Sequence, residues 1–144
     1  MKMLVFLFVL CSLDAHVVQV VEDFHLLNDR DSEERFINQH AGIESPSVLG
    51  YVVALEMKQA EYSINPFVKL KIFADNKTKL NILIDENKTN VHLRYLRLML
   101  QEKTPSILGY NDYIEVDKRF LNSKLLEIDD SDYLDYYIKK NTSL

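Results

Sequence analysis

Tryptophan is absent from the 144-residue chain and cysteine nearly so, since Cys11 is the only thiol. A lone cysteine cannot close an intrachain disulfide, and a mature chain starting after Ala15 would have no thiol for catalysis or metal ligation. Glycine and proline number three each, too few for a turn-rich all-β sandwich. No apolar run reaches the roughly 20 residues a spanning helix needs, so no integral membrane span is expected. Positive charge is not in excess either. Lys and Arg total 17 against 22 Asp and Glu, a net charge of −5, which argues against nucleic acid as a partner. A Gly-rich phosphate loop and a Gly-x-Ser-x-Gly elbow are both missing. His16, His25, His40 and His92 have no second ligand at zinc-motif spacing. Asp129-Asp130-Ser131-Asp132 lacks the glycine and terminal glutamate of a calcium loop. No catalytic residue, metal or cofactor is expected, and the chain does not read as an enzyme.

What is present is an ordinary globular composition, 47% hydrophobic and 27% charged, on a length that suits one domain. Lys2, the apolar run Met3–Leu10 and the small residue Ala15 make up the three parts of a secretory signal peptide over residues 1–15. Export to the periplasm or medium follows as an expectation. Lipid attachment at Cys11 is disfavoured because Leu10, not a small residue, precedes it.

Residues 16–31 read as an extended or irregular lead-in, 32–140 as a single all-helical domain and 141–144 as a tail. Helix starts carry the domain. Ser32 caps a short helix that Gly42 stops. Ser45-Pro46 and Asn65-Pro66 each pair a capping side chain with proline at the first helical position. The first opens a helix to about Tyr62. The second opens a longer one whose stripe is Phe67, Leu70, Phe73, Leu80 and Ile84, with a possible break at Asn76-Lys77-Thr78. Asn90 caps a helix from Val91 to about Lys103, whose polar stripe of Arg94, Arg97 and Gln101 is so narrow that its other faces should be buried. Thr104-Pro105 starts another helical segment to about Leu126, and Ser131 or Asp130 caps the last helix. Short connections predict antiparallel helical hairpins. The fold class is all-α.

Ser45-Pro-Ser-Val-Leu-Gly-Tyr51 returns 59 residues later as Thr104-Pro-Ser-Ile-Leu-Gly-Tyr110. In each copy the glycine should lie one turn into a helix, where it costs about 1 kcal/mol against alanine. Close approach of a neighbouring helix would offset that cost. A duplication of stacked hairpins would generate such an echo.

The stretch Leu80–Leu98 resembles the junction between two tetratricopeptide repeats, where a helix ends, an Asn-containing turn follows and a new helix opens. Lys88 stands in place of the family's proline, Val91-His92 in place of its Ala-Glu, and no clean repeat period exists. Residues Ser45 to Phe120 also resemble uncharacterised small exported helical proteins of Bacteroidetes-type bacteria, through Asn65-Pro66, Asn90, Arg94-Tyr-Leu-Arg97, Pro105, Leu108-Gly-Tyr110 and Asp117-Lys118. The resemblance implies antiparallel helical hairpins in a short solenoid or compact bundle, and no activity.

Residues 66–104 carry eight Lys and Arg against four Asp and Glu, between acidic flanks. Arg94 and Arg97 are therefore expected either to pair internally with Glu56 or Glu115, or to form a patch for an acidic partner. Two functions follow. The preferred one is an exported, non-enzymatic interaction or scaffold module with a protein or peptide partner, since helical-repeat surfaces bind such segments. The alternative is a binder of a small anionic ligand, or an enzyme, with a site in the bundle built from Arg94, Arg97, Tyr51, Tyr110 and Glu56.

Overall fold

Four helices begin where a short polar side chain takes up a backbone N–H that the first turn leaves without a partner. Asp29 accepts from Ser32 N at 2.8 Å, Ser45 from Val48 N at 3.5 Å, Asn65 from Phe67 N at 2.9 Å and Asn90 from Leu93 N at 3.2 Å. In a computed structural model, which describes residues 16–144, these caps open α2 (Arg30–His40), α3 (Pro46–Lys58), α4 (Pro66–Glu86) and α5 (Val91–Lys103). Helix α1 covers residues 16–26. Helices α6 (Ile114–Lys124) and α7 (Asp132–Asn141) complete the chain, and no strand occurs among the described residues. The fold is all-α. The expected signal segment, residues 1–15, lies outside the described residues.

Helix α5 is the centre. Leu93, Tyr95, Leu96 and Leu98 are fully enclosed, and the polar His92, Arg97 and Gln101 are buried with them. The expected exposed stripe is thus largely interior. Helix α3 runs parallel to α5, because Asn90 Nδ2 donates to Ser47 Oγ at 2.9 Å and Tyr51 meets His92 at the starts of both. Helix α4, which lies between them in the chain, returns antiparallel to both, with Lys79 on Glu56 of α3 and Asn81 on Arg97 of α5. The main core joins α1, α2, α3, α5, α6 and α7, and a smaller cluster of Val53, Leu80, Ile84 and Leu93 holds α4.

Several expectations are corrected. Residues 16–26 are helical, not an irregular lead-in, and Val20 and Val21 sit in the core, because an apolar pair on a helix face is most stable when covered. The cap of α2 is Asp29 and not Ser32. The break at Asn76–Thr78 does not occur: Asn76 Nδ2 and Thr78 Oγ1 bond back to Ile72 O and Ala74 O within the helix, burial of Leu80 and Ile84 outweighs the poor propensity, and α4 runs on for 21 residues. Only the second half of its apolar stripe is core: Leu80 and Ile84 are enclosed, while Phe67 is 82% and Leu70 50% exposed.

The echo is one phrase in two conformations. Gly50 lies inside α3, where a Cβ would come within 2.4 Å of Leu93 Cδ2. Close packing on α5 requires the glycine. Gly109 instead ends a single 3-10 turn, Ser106–Leu108, in the left-handed region at φ 59°. The segment after Thr104 is therefore not a continuous helix, and the stacked-hairpin duplication has no structural counterpart there. The two glycines should respond differently. Gly50→Ala should destabilise by about 1 kcal/mol, overpacking outweighing the gain in helix propensity, and Gly50→Asn by more. Gly109→Asn should be nearly neutral, because asparagine tolerates the left-handed region. Urea unfolding followed by far-UV circular dichroism measures both.

Candidate functional site

The five residues singled out as a binding set do not converge on a cavity. Arg94 and Arg97, one turn apart on α5, both turn to α6 and share one carboxylate. Arg97 Nε donates to Asp117 Oδ2 at 2.6 Å and its terminal nitrogen to Oδ1 at 2.8 Å. Arg94 donates to the same Oδ1 at 2.8 Å and also to Lys88 O. Tyr113 lies under the Arg97 guanidinium at 4.0 Å and Phe120 under Arg94 at 5.2 Å. Asp117 is wholly enclosed. This forked, aromatic-backed arrangement is a clamp between α5 and α6.

The expected internal pairing thus occurs with a different acid, neither Glu56 nor Glu115. Glu56 bonds Lys79 of α4 at 2.8 Å. The signal for Asp117 was available in the sequence: Ile114, Asp117 and Leu121 follow helical spacing, which places the acid on the apolar stripe. A buried acid on such a stripe needs cations from the helix opposite.

Tyr51 lies across α5 from the clamp, its hydroxyl 3.0 Å from His92 Nδ1, while Tyr133 approaches His92 Nε2 at 2.9 Å. A neutral imidazole donates through one nitrogen and accepts through the other, so one tyrosine hydroxyl donates to it and the other accepts. Burial holds His92 down to about 4 from its ordinary 6.5. Tyr110 packs edge-on against Phe73 under Lys77. Glu33, in the first turn of α2, is also enclosed, and accepts from Lys58 at 2.5 Å, Gln59 at 3.0 Å and Tyr62 at 3.1 Å. It fastens α2 to the end of α3.

The opening that a ligand could enter lies elsewhere. The first half of α4 stands away from α5, and the gap is a cleft of about 530 Å³. Leu55 and Met57 of α3, Leu70 and Phe73 of α4, and Met99 and Leu100 of α5 line it, with Pro105 and Leu108 at one end and Phe24 and His25 of α1 at another. Its charged lining is Lys58, Lys69, Lys103, Glu33 and Glu61. Burial, then the positive potential of Lys103 and Lys140, hold His25 neutral down to about pH 4. Volume and apolar lining are those of a binding cleft. The sequence signal was the stripe of Phe67, Leu70 and Phe73, which periodicity alone assigns to core. Among the described residues no group of three or more His, Cys, Asp or Glu is placed to hold a metal ion, and no helix is long and apolar enough to cross a membrane.

No family model, no curated protein and no solved structure matches the chain.

Two measurements test this geometry. Asp117→Asn should cost about 3 kcal/mol, because it leaves two guanidinium groups near the interior without their counter-charge. Replacing Asp117 and Arg97 together by Leu and Met should recover part of that loss in urea unfolding. The second concerns His92. It protonates near 6.5 in the unfolded chain and near 4 in the folded one, so the unfolded state takes up more protons between those values. Stability should be full above pH 7 and fall as the pH drops from 6.5 toward 4. His25 carries the same shift, so His92→Gln should reduce that slope by about half and leave the share of His25, whatever the variant's own stability at pH 7.

Proposed function

We propose that the protein is an exported, non-enzymatic interaction module that receives a segment of a partner protein in the cleft between α4, α5 and the 104–108 turn. The carrying observation is the first half of α4, where Phe67 and Leu70 are left exposed beside an apolar cleft although they continue the stripe that Leu80 and Ile84 bury. Contiguous apolar surface around a cleft is characteristic of a docking site. Pro105 and Leu108 of the neighbouring turn close that surface at one end. Export is supported by Lys2 and the apolar run that follows it. The parallel α3 and α5, with α4 antiparallel to both, support a tetratricopeptide-like character for this part of the chain.

A small anionic ligand bound by Arg94 and Arg97 is not favoured. Asp117 already accepts from both, and Tyr51 and Glu56 are engaged with other elements.

Affinity co-purification from the exported fraction of the native host, with mass spectrometry, is expected to recover a stoichiometric protein partner. Leu70→Glu should lose at least about 2 kcal/mol of that binding, roughly thirtyfold, if Leu70 is an anchor, with circular dichroism unchanged because the residue is half exposed. A partner retained undiminished by the variant would place the interaction elsewhere. Recovery of the protein alone at native expression would remove it.

A further inference from the structure

We propose that the segment received by this cleft is an amphipathic helix whose apolar face is flanked by acidic residues. This rests on the interaction function proposed above, and three features of the cleft carry it.

The first is the mode of docking. Strand addition needs a sheet edge, and no strand occurs among the described residues. A polyproline segment needs a groove paved with aromatic rings, whereas the rings here stand apart, Phe73 on the α4 wall and Phe24 with His25 on α1, and the lining from α3 and α5 is aliphatic and thioether: Leu55, Leu100, Met57 and Met99. Such a floor takes the side chains of a helix at i, i+3, i+4 and i+7, and methionine adapts to their shape.

The second is extent. A molecule filling only the 530 Å³ cleft would leave Phe67, one turn before the lining residue Leu70, bare outside it at 82% exposure. A helix laid along the cleft covers the flanking apolar side chains as well.

Charge is the third. Lys58 is neutralised within the fold by Glu33. Lys69 of α4 and Lys103 at the end of α5 stand on different walls and make no ion pair among the described residues. Lys140 adds to the potential that Lys103 exerts at the His25 end. Among the described residues Glu61 is the single lining acid outside an ion pair. A cationic rim on a protein of net charge −5 selects for acids on both sides of the incoming apolar face and speeds their encounter.

The test uses the purified full chain and two fluorescein-labelled helical peptides with the same leucines at i, i+4 and i+7. One carries Glu on the flanks and the other Lys. Fluorescence anisotropy is expected to show the Glu peptide binding about tenfold more tightly at low salt, with the difference closing near about 0.5 M NaCl. Lys69→Glu with Lys103→Glu, both at exposed positions, should reverse the order of the two peptides. Leu70→Glu should abolish binding of both. Equal affinity for the two peptides, lost in Leu70→Glu, would overturn the acidic flank and leave the docking cleft standing. If neither peptide binds while the co-purified partner still depends on Leu70, the helical segment is wrong and the interaction function survives. If neither peptide binds and palmitate does, in a Leu70-dependent way, both proposals fall in favour of a lipid site.

Discussion

Asp117 sits fully enclosed between two guanidinium groups, and the position of α6 on the central helix depends on that contact. An ionised carboxylate away from water is costly unless it is paired and hydrogen-bonded. Here three short bonds from Arg94 and Arg97 meet it, with Tyr113 and Phe120 as aromatic floors. The fork geometry accepts only one register of α6 against α5. The same contact consumes the two arginines that sequence spacing marked as the best anion-binding pair. Electrostatics that look functional in one dimension are architectural in three.

The central helix explains the remainder of the packing. Because α5 is covered by α3, α4, α6 and α7, its polar side chains must find partners inside: His92 between two tyrosines, Arg97 on Asp117. Gly50 allows α3 to approach α5 so closely that a methyl group would collide with Leu93. Helix α4 is longer than the surface available to it. Its second half closes on Val53 and Leu93 through Leu80 and Ile84, and its first half projects past the end of that contact. The cleft is the consequence: its α4 wall, Leu70 and Phe73, continues a core stripe without closing on the core, and the wall opposite is formed by core residues such as Leu55 and Met99.

Local signals were legible to the residue in several places. Ser45-Pro46, Asn65-Pro66 and Asn90 open α3, α4 and α5 where the capping pattern puts them, because a cap acts on its own next three residues and needs no distant partner. The centrality of α5 could also be read, from how little of its circumference is polar. Signals with two local outcomes were not legible. The repeated Pro-Ser-Val/Ile-Leu-Gly-Tyr phrase enters a helix at Gly50 and leaves a 3-10 turn at Gly109. Its residues are the same, and the neighbours that decide between the outcomes are not.

The amino-acid sequence by itself determined that this chain is helical, where most of its helices start and which helix lies at the centre, since capping, proline placement and apolar periodicity are short-range effects. Tertiary structure alone decided which acid meets Arg94 and Arg97, which half of the α4 stripe becomes core, and where a cleft opens. Those outcomes depend on the relative lengths and angles of packed helices and on the desolvation of charges brought together from distant positions. Neither quantity is carried by any window of neighbouring residues.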